Sequence, residues 1–158
     1  MVCGILRTMA TWKDVESAEP EFAARVRTIF DAGENKIIAT LRADGSPRVS
    51  GIETEFVDGE LTFGSMPDAR KGADLLRDAR FALHGPSPDP PEDKASWLGD
   101  AKIAGRAVSL GPLTGDTEGE QYRADIHEVV VTHLNDSATL LVIEIWRPDG
   151  GLRRVERT

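Results

Sequence analysis

The residues whose types and spacing could do chemistry lie in Leu61-Thr-Phe-Gly-Ser-Met-Pro-Asp-Ala-Arg-Lys71. Leu61 and Phe63 share one face of a short strand. Ser65 has the chemistry of an N-cap, Asp68 stands three positions on in capping-box spacing, and Pro67 sits where a helix tolerates a missing N–H. The spacing predicts a helix from Met66 to about Asp78, with Leu75, Leu76 and Ala79 as its buried stripe. Helical side chains lean toward the N-terminus, so Arg70 and Lys71 can aim their charges where the first turn leaves its backbone donors free. That arrangement suits a phosphate or a similar anion. The same residues also fit an ordinary amphipathic helix with solvated cations, so the surrounding elements have to decide.

Other chemistries find less support. GxGxxG, P-loop, HExxH and GxSxG patterns are absent. His84, His127 and His133 fall in different segments without metal-ligand spacing, and no Ser or Asp is paired with a base. No metal site is expected and no catalytic residue is assigned. Trp12, Trp97 and Trp146 could stack on a flat ring, although core or interface packing is the more ordinary role of a lone Trp.

At 158 residues the chain suits a single domain, taken as 11–158, with residues 1–10 expected to be disordered or artefactual because Met9 offers a second start. The net charge of -8 argues against a nonspecific nucleic-acid binder. Cys3 is the one cysteine, so no intramolecular disulfide forms, and no run is apolar enough for a membrane span. The expectation is a cytoplasmic protein.

The elements that position the anion motif are mostly strands. Thr11-Trp-Lys-Asp14 has capping-box form, and Phe22, Val26, Ile29 and Phe30 mark one face of a helix from about Pro20 to Ala32. Strands are expected at Lys36 to Arg42, Pro47 to Val57 and Glu60 to Gly64, joined by turns that include Asp58-Gly59. Ile37, Ala39 and Leu41 share one face of the first of them. Arg80 to Gly85 returns as a strand after the helix. Pro86-Ser-Pro-Asp-Pro-Pro91 is a loop, Asp100 to Leu110 a strand interrupted by Gly105, and Thr114 to Ala124 a polar stretch with some helical character late. Glu128 to Leu134, Thr139 to Trp146 and Leu152 to Val155 complete about seven strands. The fold class is therefore mainly β (α+β), a small barrel of antiparallel strands with peripheral helices. Arg48 and Ser50 project with Ile52 to one face of the second strand.

In that order, Leu41-Arg-Ala-Asp-Gly-Ser-Pro-Arg-Val-Ser50, Arg70-Lys71, Leu76-Arg-Asp-Ala-Arg-Phe-Ala-Leu83 and Gly105-Arg-Ala107 give the chain a likeness. From about Ala24 to Val108 it resembles the pyridoxamine 5'-phosphate oxidase-like family of flavin-binding split β-barrels. The resemblance implies an oxidoreductase acting on a small organic substrate with FMN, or with the deazaflavin coenzyme F-420. Arg70 and Lys71 match the family's phosphate-binding pair, Ser65 and Met66 its cofactor-contacting strand end, and Arg48, Val49 and Ser50 the strand beside the ring and ribityl chain. It also implies a homodimer with the cofactor at its interface, where Trp97, Gly105, Arg106 or Trp146 reaches across. The family often has Ser before Arg-Lys, whereas here Ala69 provides no hydroxyl and Asp68 adds a negative charge. A non-catalytic flavin- or haem-binding protein on the same barrel is the alternative.

Overall fold

The structure, a computed structural model, describes residues 8–158. Residues 1–7, Cys3 among them, lie outside the described residues. Ala10 is buried, and its backbone exchanges hydrogen bonds of 2.8 and 2.7 Å with Ile126.

Two helices precede the sheet. In α1 (Trp12–Ala18), Asp14 N donates to the Thr11 hydroxyl at 3.2 Å and Thr11 N donates back to the Asp14 carboxylate at 2.8 Å, so the expected capping box forms. Helix α2 (Pro20–Asp31) opens with Pro at its first position and buries Phe22, Ala23, Val26, Ile29 and Phe30. Trp12 and Phe30 both pack on Phe56 of the barrel, with ring centroids 4.6 and 5.9 Å away. Trp12 thus serves the core.

Strands β1 (Asn35–Leu41), β2 (Pro47–Val57) and β3 (Glu60–Ser65) form an antiparallel meander. Asp58 and Gly59 both adopt positive φ, +50° and +77°, as the tight turn between twisted strands requires. Helix α3 (Arg70–Arg77) follows, then β4 (Arg80–His84), β5 (Asp100–Pro112) and β6 (Glu120–Leu134). The strand order β3-β2-β1-β4-β5-β6 closes through pairing of β3 with β6, giving a six-stranded antiparallel barrel. β7 (Leu141–Arg147) and β8 (Gly151–Arg157) extend the sheet beyond β6. No helix among the described residues is long and apolar enough to cross a membrane.

Three expectations need correction. Residues 120–124 are strand, not helix: Tyr122, Ala124 and Ile126 point inward between half-exposed Gln121, Arg123 and Asp125, a period of two masked by polar composition. Ile37, Ala39 and Leu41 do share one face of β1, and it is the outer one, since Lys36, Ile38 and Thr40 are buried. Helix α3 begins at Arg70 instead of Met66. Ser65 stays in β3, buried and paired with Glu120, and Asp68 adopts φ +59°, which breaks a helical path. Within α3, Asp74 and Leu75 are buried, whereas Leu76 is 89% exposed.

Gly105 stands opposite a bulge in β6, whose pairing with β5 passes from Glu128 at Ala104 to Ile126 at Gly105. A Cβ there would stand 1.9 Å from the Asp125 carbonyl oxygen, a backbone atom with no freedom to move aside. Gly105→Ala should therefore destabilise the protein by about 2–3 kcal/mol in urea unfolding. Gly150→Ala, where nothing lies within 4 Å, should leave the midpoint nearly unchanged.

Candidate functional site

The anion motif is seated by a buried carboxylate that the sequence reading missed. Asp74, 2% exposed, accepts at Oδ2 from Arg48 Nε at 2.6 Å and from the Thr40 hydroxyl at 2.8 Å. Its Oδ1 accepts from Arg77 at 3.0 Å, and Arg77 also donates to the Leu41 carbonyl at 3.1 Å. Burial pushes the Asp74 carboxyl upward, but the hydrogen bonds from Arg48, Thr40 and Arg77 outweigh it and hold it below the usual carboxylate range. Helix α3 is thereby tied to β1 and β2 in one rotational setting.

That setting leaves the first turn of α3 open. Ala69 is the N-cap and makes no side-chain cap, and the first turn contains no acidic residue. Asp68, outside the helix, does not occupy the backbone donors as a capping residue would. Arg70 is exposed at the opening position, and half-buried Lys71 donates from Nζ to the Gly51 carbonyl at 3.1 Å. An ammonium has three donors, so Lys71 keeps donors for an anion.

Lys71 and Met66 line a groove of about 770 Å³ on the outer barrel face, floored by Gly51, Thr62 and Gly64. A Cβ at Gly51 would meet nothing within 4 Å, so β2 offers bare backbone there, a surface a flat ring can approach. Glu53 and Glu55 line the same groove. They follow Gly51 on one face of β2 at steps of about 7 Å, so charge turns from basic beside α3 to acidic along the strand. A phosphate at Arg70 and Lys71 with a ring along Gly51 fits these residues.

The remaining expected site residues are distributed by strand alternation. Val49, 68% exposed, continues the outward face of β2 from Gly51, whereas Arg48 and Ser50 point to the opposite side with buried Ile52. Arg48 spends its Nε on Asp74. Ser65 lies beneath α3, where a Cβ on Gly72 would come within 2.7 Å of its hydroxyl oxygen. Of the residues expected to reach across to a partner's cofactor, Trp146 and Gly105 are buried within this chain. Trp97 is half-buried and donates to the Pro88 carbonyl at 3.1 Å, and Arg106 is exposed. Among the described residues, no cluster of three or more His, Cys, Asp or Glu is arranged to hold a metal ion.

Closure of β3 on β6, with α3 across one end, decides the comparison. The fold is a split β-barrel. The sequence matches no family model and no curated protein. Among solved structures, the chain is similar to a pyridoxamine 5'-phosphate oxidase-related, FMN-binding protein from Nostoc punctiforme, with TM-score 0.61 and 10% identity over 96% of this chain and 99% of that one. PhzG from Burkholderia lata, in complex with tetrahydrophenazine-1-carboxylic acid, aligns with TM-score 0.59 and 15% identity over 88% and 87% of the two chains. A heme-binding protein from Mycobacterium smegmatis aligns with TM-score 0.50 and 12% identity over 84% and 86%. At these identities the likeness is one of fold.

Removing Asp74 strands Arg48 without its carboxylate, so Asp74→Ala should cost about 3 kcal/mol of stability. Because the folded carboxyl titrates below its ordinary 3.8, its contribution is present above that value and is lost as pH falls through the folded value. In chemical unfolding, the stability gap between the native chain and Asp74→Asn should be full at pH 7 and narrow below about pH 4.

Proposed function

We propose that the protein is an oxidoreductase of the pyridoxamine 5'-phosphate oxidase-like family that binds FMN, or the deazaflavin coenzyme F-420 in its place. The observation that carries this reading is the uncapped first turn of α3, where Lys71 lines a groove floored by the bare backbone of Gly51 and Arg70 stands exposed beside it in sequence. Arg70, Lys71 and the first-turn N–H groups hold the phosphate, Met66 borders the ring, and Val49 extends the apolar surface beside it. The bound cofactor supplies the hydride chemistry, exchanging two electrons with a small conjugated organic substrate. The chain's part is to bind the cofactor, orient it and exclude water, and no side chain is assigned a proton.

The reading includes a homodimer working in the cytoplasm. Val49, Ala39, Ala82 and Ala104 stand in register across β2, β1, β4 and β5, and Ile37, 45% exposed, pairs with Gly51 beside the groove. A second copy covering this face would bring its residues to the cofactor. The heme-binding neighbour favours the alternative of a non-catalytic haem carrier, but the groove residues include neither His nor Cys to ligate iron.

Absorbance titration with FMN and with riboflavin separates these readings. Arg70→Ala and Lys71→Ala should each weaken FMN about fivefold to tenfold and leave riboflavin nearly unaffected, since each removes one exposed cation from a phosphate. Equal losses for both ligands would remove the phosphate role, and no binding tighter than millimolar for either flavin or F-420 would sink the enzyme reading. Val49→Asp should shift the protein from dimer to monomer in light scattering without lowering its unfolding midpoint.

A further inference from the structure

A second groove, of about 850 Å³, opens at the end of the barrel between α3, the end of β3 and the paired ends of β5 and β6. It shares Met66 alone with the cofactor groove. Its walls are apolar, formed by Met66, Ala73, Leu75, Leu76 and Ala107. The exposure of Met66 and Leu76 leaves this apolar surface open to solvent.

Three features make it more than a gap. Tyr122, 8% exposed, lines the groove with its ring stacked on Phe63, centroids 5.7 Å apart, and no described residue hydrogen-bonds its hydroxyl. The ring is buried, but the hydroxyl is not among the sealed polar atoms without a partner, so it opens on the groove, where a ligand can reach it. Gly72 of α3 faces it: a Cβ there would meet the Ser65 hydroxyl at 2.7 Å and stand 4.0 Å from the Tyr122 hydroxyl, so the missing side chain keeps this polar spot open. Finally, Asp68 and Glu120 are the charged groups along the lining, with no Lys or Arg among them. The Ser109 hydroxyl donates to Glu120, leaving its charge in place. Burial, and then Glu120, push the Tyr122 phenol above its ordinary value, so it stays an uncharged hydroxyl able to accept an N–H.

We propose that this groove is a binding site for a small arylalkylamine, its ring held by the apolar walls and its protonated amine by Glu120, Asp68 and the Tyr122 hydroxyl. The carboxylate rim selects against an aromatic acid of the same size. This site is independent of the cofactor reading, because it uses neither Arg70 nor Lys71.

Isothermal titration with 2-naphthylmethylamine, 2-naphthylmethanol and 2-naphthoate tests it. The amine should bind about tenfold or more tighter than the acid, with the alcohol between them. Ala73→Phe, which fills the groove from an exposed helix position, should abolish amine binding, and Tyr122→Phe should weaken it severalfold. Leu76→Lys, on an exposed surface, should weaken the amine and strengthen the acid, and it keeps the test informative if Ala73→Phe fails to fold. No binding of the amine, equal binding of amine and acid, or an unchanged preference in Leu76→Lys would overturn the proposal.

Discussion

The seat of α3 depends on one buried charge. An eight-residue helix is too short to be stable by itself, and its Asp74 carboxylate could not be buried without donors. Thr40 from β1, Arg48 from β2 and Arg77 from α3 supply them. Because the donors come from separate elements, they specify the rotation of α3 as well as its position. That rotation sends Lys71 over the β2 backbone at Gly51 and turns Gly72 toward Ser65 and Tyr122. Both grooves therefore depend on the same carboxylate, although neither contains it.

The barrel supplies what the helix needs to work against. β6 runs for 15 residues and pairs with β5, β3 and β7, so closure of the barrel and extension of the sheet pass through one strand. Its first residue, Glu120, pairs with Ser65, which holds the end of β3 extended beneath α3. The chain then reverses through Met66 to Ala69, with the Ala69 N–H bonded to the Met66 carbonyl at 3.2 Å. Met66 is left as the ridge between the two grooves. Lys71 lies on one side of it and the carboxylates of Asp68 and Glu120 on the other, so the first groove holds a cation at its α3 end beside Glu53 and Glu55, whereas the second is lined by carboxylates alone among charged groups.

Much of this was legible residue by residue. The Thr11 capping box, the apolar stripe of α2 and the Asp58-Gly59 hairpin follow from local chemistry, and each formed as written. The pairing of Arg70 with Lys71 near a strand end was also visible. Three features were not. Asp74 carries no local signal, because its donors lie 26 and 34 residues away in Arg48 and Thr40. Ser65 read as a cap, because its competing partner is a strand that enters more than fifty residues later. The inward face of β1 is not legible locally, because apolar Ile37 and Ala39 look outward while Lys36 and Thr40 are buried.

The sequence by itself determined the local elements of this protein, since turns, caps and alternating strands are set by neighbouring residues and their hydrogen-bonding choices. It also placed a basic pair close to the end of a strand. Only the tertiary structure decided where the helix begins, which way it faces, and that its first turn is left without a side-chain cap. Those are outcomes of long-range competition: Ser65 is held by pairing with β6, and Asp74 is held by donors from two strands. Both interactions outweigh the local preferences that the sequence displays.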